Sequence, residues 1–499
     1  MTKDPARQQA GAAPPPPRKR PGSFAEAAFR HQIVVLPPPR KRPGSFAEAV
    51  GALCWGPGGG CLTLDLERIA DTLAGLDPGL DGVRARGRLR AVVGLTIEAD
   101  VPGVRLGELV RIERREAEPV LAEVVGFRDA VAMLLPFDEP SGLGSDDAVV
   151  PLGRRLQVPT GPALLGRVLD ALGRPADGLP APEGELRDVM AKAPPPLSRP
   201  PIERPLPLGV RALDAFVTLG EGQRVGLFAG SGVGKSSLLG QIARGAEADV
   251  FVVCLVGERG REVRDFIDEA LGAAGMARGV VVQATSDNPP LLRMKCPFTA
   301  TAIAEGFRAR GRRVLLLMDS VTRFARAARD VGLAAGEPPA RRGYPPSVLT
   351  ALPALLERAG RSAEGSITGV YTVLVEGDER DDPVADELRG LLDGHIVLDR
   401  QLAARSHYPA VDVPASLSRL MPRLASSEHR RQADAVRALL ATYQAKRELV
   451  TLGAYRRGSD RQLDAALDHI EAIESFLRQR QDEHSPLATT LSQLTQLLV

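Results

Sequence analysis

Aromatic side chains make up only 4% of this 499-residue sequence, tryptophan occurs once, and the four cysteines form no CxxC pair. Cys54 and Cys61 have no histidine near them, so no zinc site is indicated. A reducing cytoplasm is the expected compartment. A dominant charge sign is also missing. The chain carries 64 lysines and arginines against 62 acidic residues, net +2, which excludes the one-signed field of a nucleic-acid coat or a polybasic membrane protein. Long hydrophobic runs are absent too: a stretch such as Val250 to Val256 is far shorter than the roughly 20 residues a membrane span needs. The opening residues, MTKDPARQQAGAAPPPP, have no apolar signal core. Any membrane association is therefore expected to be peripheral.

Proline and basic residues are abundant near the start. The block PPPRKRPGSFAEA occurs at Pro15 to Ala27 and again, unchanged, at Pro37 to Ala49. Two copies cannot stack into a core, so residues 1–60 read as an extended, disordered Pro/basic tail, able to serve as a docking arm for an acidic partner or lipid. At roughly 100 to 200 residues per domain, the remainder suits about three folded units. From Leu62 to Leu76 the apolar spacing fits a short amphipathic helix. Short alternating segments follow, including RLRAVVGLTIEA, ELVRIERR, VLAEVVGF, AVAMLLPF and AVVPLGRRLQV, and predict a small antiparallel barrel within residues 61–158. A proline-rich connector, KAPPPLSRPPIERPLPLG, is expected to pack along the surface of the next domain. Within 159–425, apolar runs alternate with helical segments: RVGLFAG, VFVVCLVG, GVVVQATS, RVLLLMD, SITGVYTVLV and GHIVLD. That alternation predicts an α/β domain with a parallel sheet covered on both faces. Residues 426–499 are strand-poor and read as a helical C-terminal domain.

The run Val225 to Phe228 leads into Ala229-Gly230-Ser231-Gly232-Val233-Gly234-Lys235-Ser236-Ser237 and then a helical segment. This is the strand, loop and helix setting of the phosphate-binding motif GxxxxGK[ST]. Glycines let successive N–H groups point at phosphate oxygens, and the helix N-terminus adds partial positive charge. Lys235 would reach the β and γ phosphates, and the Ser236 hydroxyl would bind Mg²⁺. Ala229 departs from the strict motif, which an alanine tolerates where φ stays negative. Only seven lysines occur among the 64 basic residues, so an accident of composition would more readily have placed arginine at 235. A compact ammonium suits the space between phosphate oxygens better than a planar guanidinium. Asp319 ends the apolar run Arg313 to Met318 and is the expected acidic residue beside Mg²⁺. Glu258 follows Val250 to Val256 at the sheet edge where ligands bind, and is the first candidate for orienting the attacking water; Glu262 is the second.

Taken together, these strings resemble the export ATPases of bacterial flagella and type III secretion systems, relatives of the catalytic subunits of rotary ATP synthases. The resemblance runs from about Arg86 to the C-terminus and includes LLGRVLDALGRPADG, GLFAGSGVGKSSLLG, VGERGREVRDFI, LPALLERAG and YPAVDVPASLSR. It implies a RecA-like P-loop NTPase core, preceded by the barrel and followed by the helical domain. It also implies ATP as substrate, Mg²⁺ as cofactor, and catalytic roles for Lys235, Glu258, Arg259 and Arg419. Arg259 would contact the γ-phosphate, Tyr408 would face the adenine, and Arg419 would be an arginine finger given to the adjacent subunit. The implied assembly is a homohexamer, peripheral at the cytoplasmic face of the inner membrane. Its implied partners are a central stalk, a stator-like regulator and chaperone–cargo complexes.

Two other readings share the core. An RNA-translocating hexamer of the transcription-terminator kind would need a basic, aromatic-bearing single-strand site. The segment from Arg86 to Val158 offers only Phe127 and Phe137, so no nucleic acid is expected. A non-catalytic nucleotide-binding ring subunit would lack the water-activating carboxylate, and Glu258 is present.

Overall fold

A computed structural model describes residues 52–55, 60–63, 86–115, 117–375 and 382–498. The duplicated block and nearly all of the predicted Leu62–Leu76 helix lie outside them. In the unit Met1–Gly82, Ala52–Trp55 and Gly60–Thr63 form an antiparallel pair, with Cys54 opposite Cys61. The extended tail expected to reach residue 60 is therefore interrupted by strand, and Leu62 and Thr63 continue a strand instead of opening a helix. Cross-strand pairing of Leu62 with Leu53 and of Thr63 with Ala52 outweighs the weak helical spacing at those two positions.

The unit Val83–Val499 begins with a closed six-stranded barrel. Its order is Gly87–Val93, Thr96–Asp100, Val131–Pro136, Val120–Arg128, Leu109–Glu113 and Ala148–Pro151. Inward alternation places Leu89, Ile97, Val110, Ile112, Val124 and Leu134 in one apolar cluster. The barrel stops at Pro151, earlier than the expected Val158. Gly153, at φ 68°, turns the chain away, and Gln157–Thr160 pairs with Glu185–Asp188 outside the barrel.

Next comes a parallel sheet ordered Val168–Asp170, Gly279–Ala284, Val250–Val256, Arg313–Asp319, Ser366–Leu374, Arg224–Ala229 and Gly394–Val397. Leu417–Ser418 adds an antiparallel edge, and Gly360–Arg361 pairs beside Ser366–Leu374. Every residue of Val250–Val256 is buried, as expected for a strand sandwiched between helical layers. Val252, Cys254 and Leu316 pack with the helix Pro290–Arg308 in one core cluster, while Val253, Leu255 and Leu315 share another with the helix Lys235–Gly245. One relationship positions the site: Ser366–Leu374 lies between the strand ending in Ala229 and the strand ending in Asp319. All of these parallel strands point their C-terminal ends at one edge.

The proline-rich connector packs on this domain. Arg199 donates to the Pro194 and Glu357 carbonyls, and Leu206 and Leu208 are buried. Helices Ser427–Thr451, Arg461–Leu477 and Leu487–Gln496 complete the chain, the last unforeseen from periodicity because it is short. Ser426 and Asp460 cap the first two by accepting N–H groups of the opening turn. Phe476 meets Phe216 edge-on with ring centroids 6.2 Å apart, seating the helices on the ATPase domain. Among the described residues, no helix is long and apolar enough to cross a membrane.

Candidate active site

The strand Arg224–Ala229 ends in a loop that runs straight into the helix Lys235–Gly245. Gly232 and Gly234 have φ values of 78° and 88°, a region side chains avoid. Gly234 also needs to be bare, since a Cβ there would stand 3.2 Å from the Tyr408 ring. No side chain caps this helix, so its first N–H groups remain available to an anion. Ala229 closes the strand, buried and outside the left-handed region.

Loop, sheet edge and flanking helices enclose a cleft of about 470 Å³. Gly230, Ser231, Gly232, Gly234, Lys235, Ser236, Ser237, Glu258 and Asp319 line it, so the sequence-predicted phosphate and water-activating groups come together. Lys235 Nζ lies 2.5 Å from Asp319 Oδ1 and 3.6 Å from Glu258 Oε1. Thr372, on the intervening strand, donates its hydroxyl to Asp319 Oδ1 at 2.8 Å. Glu258 Oε1 is buried 3.6 Å from Lys235 Nζ, and Oε2 accepts from Arg323 at 2.9 Å. Burial, a hydrogen bond shared with Glu262 and the charge of Asp319 push the Glu258 carboxyl up to about 7, against Lys235 and Arg323. The same shared hydrogen bond holds Glu262 below its ordinary value. A carboxylate that ionises near neutrality in a closed cleft is suited to taking a proton from water.

Other predicted residues stand elsewhere. Val233 is buried behind the loop, so only its backbone can serve the cleft. Tyr408 sits at the margin against Gly234, 42% exposed. The Arg259 side chain is 77% exposed, 4.0 Å from Glu262, and does not line the cleft. Arg419 is exposed and outside its own chain's cleft, donating to the Arg389 carbonyl at 3.1 Å. Sequence reasoning missed Arg323, Arg326 and Thr372. For Arg323, its place one helical turn beyond Asp319 was the available signal.

The residues fit a Mg²⁺ ion that arrives with a nucleotide. Magnesium takes most of its oxygens from phosphates and water and needs only one or two from protein. The Ser236 hydroxyl and Asp319 meet that need, and no group of three or more acidic, histidine or cysteine side chains that could hold a metal occurs among the described residues.

A parallel sheet with one strand inserted between the loop strand and the Asp319 strand, and a carboxylate poised at its edge, defines a P-loop ATPase. Residues 209–418 match the ATP synthase alpha/beta family nucleotide-binding domain, 90–153 its beta-barrel domain, and 425–496 the T3SS EscN ATPase C-terminal domain. Over 418 residues the chain is 53% identical to a type 3 secretion system ATPase of Xanthomonas euvesicatoria, covering 83% of this chain and 94% of the relative. It is 47% identical to a flagellum-specific ATP synthase of Bacillus subtilis (strain 168), covering 84% and 96%. The assembled ATPase EscN of the enteropathogenic E. coli type III secretion system superposes with a TM-score of 0.78 at 46% identity, covering 83% of this chain and all of that one. EscN has also been solved with its central stalk EscO, at a TM-score of 0.77 and 45% identity, covering 83% of this chain and all of that one. The chain belongs to the type III secretion and flagellar export ATPases, and it is an ATP-hydrolysing P-loop enzyme.

Proposed function

We propose that this protein is the hexameric motor of a type III protein export apparatus, flagellar or injectisome, coupling Mg·ATP hydrolysis to chaperone release and substrate export. In this reading the barrel within 61–158 joins subunits, 159–425 hydrolyses ATP, 426–499 meets chaperone–cargo complexes, and hydrolysis by the ring drives a central stalk. The ring would sit at the cytoplasmic face of the inner membrane beside a stator-like regulator.

Lys235 and the loop amides hold the β and γ phosphates, and Tyr408 faces the adenine. Ser236 and Asp319 would hold Mg²⁺, which supplies charge neutralisation between the phosphates. Glu258 draws a proton from the attacking water. The partner subunit's Arg419 steadies charge on the transferring phosphoryl group. Arg259 can reach the γ-phosphate only by turning from its exposed position.

The observation that carries this reading is Arg419, standing exposed outside its own cleft and bonded only to a carbonyl among the described residues. A cleft that holds phosphate and water-activating groups but lacks this cation is completed by a neighbour. Turnover measured across protein concentration tests it: specific activity should rise with assembly, and a monomer of full activity would refute it. A terminator-like RNA motor is disfavoured because Phe137 is buried, leaving Phe127 as the one exposed aromatic in the barrel.

A further inference from the structure

The barrel and the ATPase domain meet around a second cavity, of about 320 Å³, which shares no lining residue with the nucleotide cleft. Val124 lines it from the barrel strand Val120–Arg128, Leu291 and Met294 from the helix Pro290–Arg308, and Val331 from the helix Val321–Ala334. A space of that size with apolar walls suits a small molecule. The lining also holds a buried charge pair. Lys295 Nζ donates to Glu123 Oε1 at 2.7 Å, and the two side chains are only 4% and 10% exposed.

The protein completes only part of this pair. An ammonium carries three N–H donors, and the Glu123 oxygen is the one acceptor that Lys295 finds among the described residues. Glu123 Oε2 receives no hydrogen bond among them. Attraction within a buried ion pair offsets the desolvation of its charges only when the remaining protons and lone pairs are bonded as well. An occupant of the cavity must therefore meet two donors and one acceptor.

Charge decides what kind of occupant can do so. Glu123, Arg155, Lys295 and Glu337 are the charged residues in the lining, two of each sign. An anionic head drawn to Lys295 would press on Glu123, and a cationic head drawn to Glu123 would press on Lys295. A neutral group that accepts and donates at once satisfies both.

We propose that this cavity is a binding site for a small neutral amphiphile, with an amide or hydroxyl head on Lys295 and Glu123 and an apolar body along Val124, Leu291, Met294 and Val331. The head's oxygen accepts from the ammonium, and its N–H or O–H donates to Glu123 Oε2. Because the walls come from both domains, the ligand stabilises the packing of the barrel on the ATPase domain.

Hexanamide, hexanoate and hexylammonium share one apolar body and differ in head charge. Saturation-transfer NMR on the assembled full-length chain, with ADP in excess to occupy the nucleotide cleft, compares their binding. Hexanamide should bind with a Kd on the order of 1 mM, as a ligand of so few atoms allows, and the charged probes on the order of tenfold more weakly. The double variant Lys295→Met/Glu123→Leu keeps apolar walls and removes the partners of the head, so the amide should lose on the order of tenfold or more in affinity. Ala335→Phe puts a ring into the lining and leaves the ion pair whole, and should abolish binding of all three. Failure of hexanamide to bind the parent, equal binding of the three probes, or unchanged amide affinity in the double variant would overturn the inference. Should the double variant not fold, Ala335→Phe carries the test: amide binding there at parental strength overturns the site as well.

Discussion

Lys235 and Asp319 meet at 2.5 Å although the strands leading to them are not neighbours. The strand Ser366–Leu374 runs between, and its Thr372 hydroxyl steadies the same aspartate oxygen. Glu258 reaches the same cleft from the other side, just past the end of the strand Val250–Val256 that pairs directly with the Asp319 strand. Replacing the lysine removes the only ammonium in the cleft among the described residues. Lys235→Ala should cut ATP turnover by at least on the order of 10²-fold and weaken nucleotide binding, read by phosphate release and fluorescent-nucleotide titration.

Arg419→Ala should leave nucleotide binding nearly intact while lowering turnover on the order of 10³-fold. Mixing it with Lys235→Ala subunits supplies both missing groups across some boundaries, so the mixture should hydrolyse ATP faster than either alone. A mixture no faster than its components would argue that Arg419 acts within its own chain.

Tyr408 packs against Gly234, beside the phosphate loop. Loss of a base-stacking ring costs about 1–3 kcal/mol, so Tyr408→Ala should raise KM for ATP on the order of tenfold or more with a smaller change in kcat. Tyr408→Phe keeps the ring and should stay near parental values.

Lys295 and Glu123 form a buried ion pair at 2.7 Å between the helix Pro290–Arg308 and the barrel. Lys295→Met strands a buried carboxylate and should destabilise the protein by about 3–5 kcal/mol in denaturant unfolding. Replacing Glu123 by Leu as well should recover much of that loss, because the double change leaves no unpaired charge.

The folded protein holds Glu258 above its ordinary value of 4.5, at about 7. Its protonated form is the one favoured by folding. The resulting stabilisation is present in full below pH 4.5 and is lost as the pH rises to about 7. Glu258→Gln cannot ionise, so its denaturant midpoint should match the parent below pH 4.5 and exceed it above pH 7. Equal midpoints at both ends would contradict the placement of this carboxyl.

The parallel sheet was legible because Val250–Val256 and Arg313–Asp319 are unbroken apolar runs, a pattern that burial on both faces imposes. The phosphate loop was legible because glycines at left-handed positions leave a mark in sequence. Strand order left no such mark: nothing in Ser366–Leu374 announces that it separates Ala229 from Asp319, so Thr372 was overlooked. The direction of a side chain is equally silent. Arg259 and Arg323 are both arginines just beyond sheet strands, and only packing turns one outward and the other onto Glu258. The short strand Val168–Asp170 and the helix Leu487–Gln496 are too brief for periodicity to reveal.

Residues after the helix Arg461–Leu477 do more than end a domain. Gln479 gives its backbone N–H to the Tyr408 carbonyl at 2.9 Å and its side-chain amide to the Gly209 carbonyl at 2.7 Å. The segment after the far helices is thereby tied directly to the peptide that carries Tyr408, the ring proposed to face the adenine. A chain cut ahead of residue 479 would keep every residue lining the cleft and yet lose this tether, so the consequence would fall on Tyr408 alone and not on the loop.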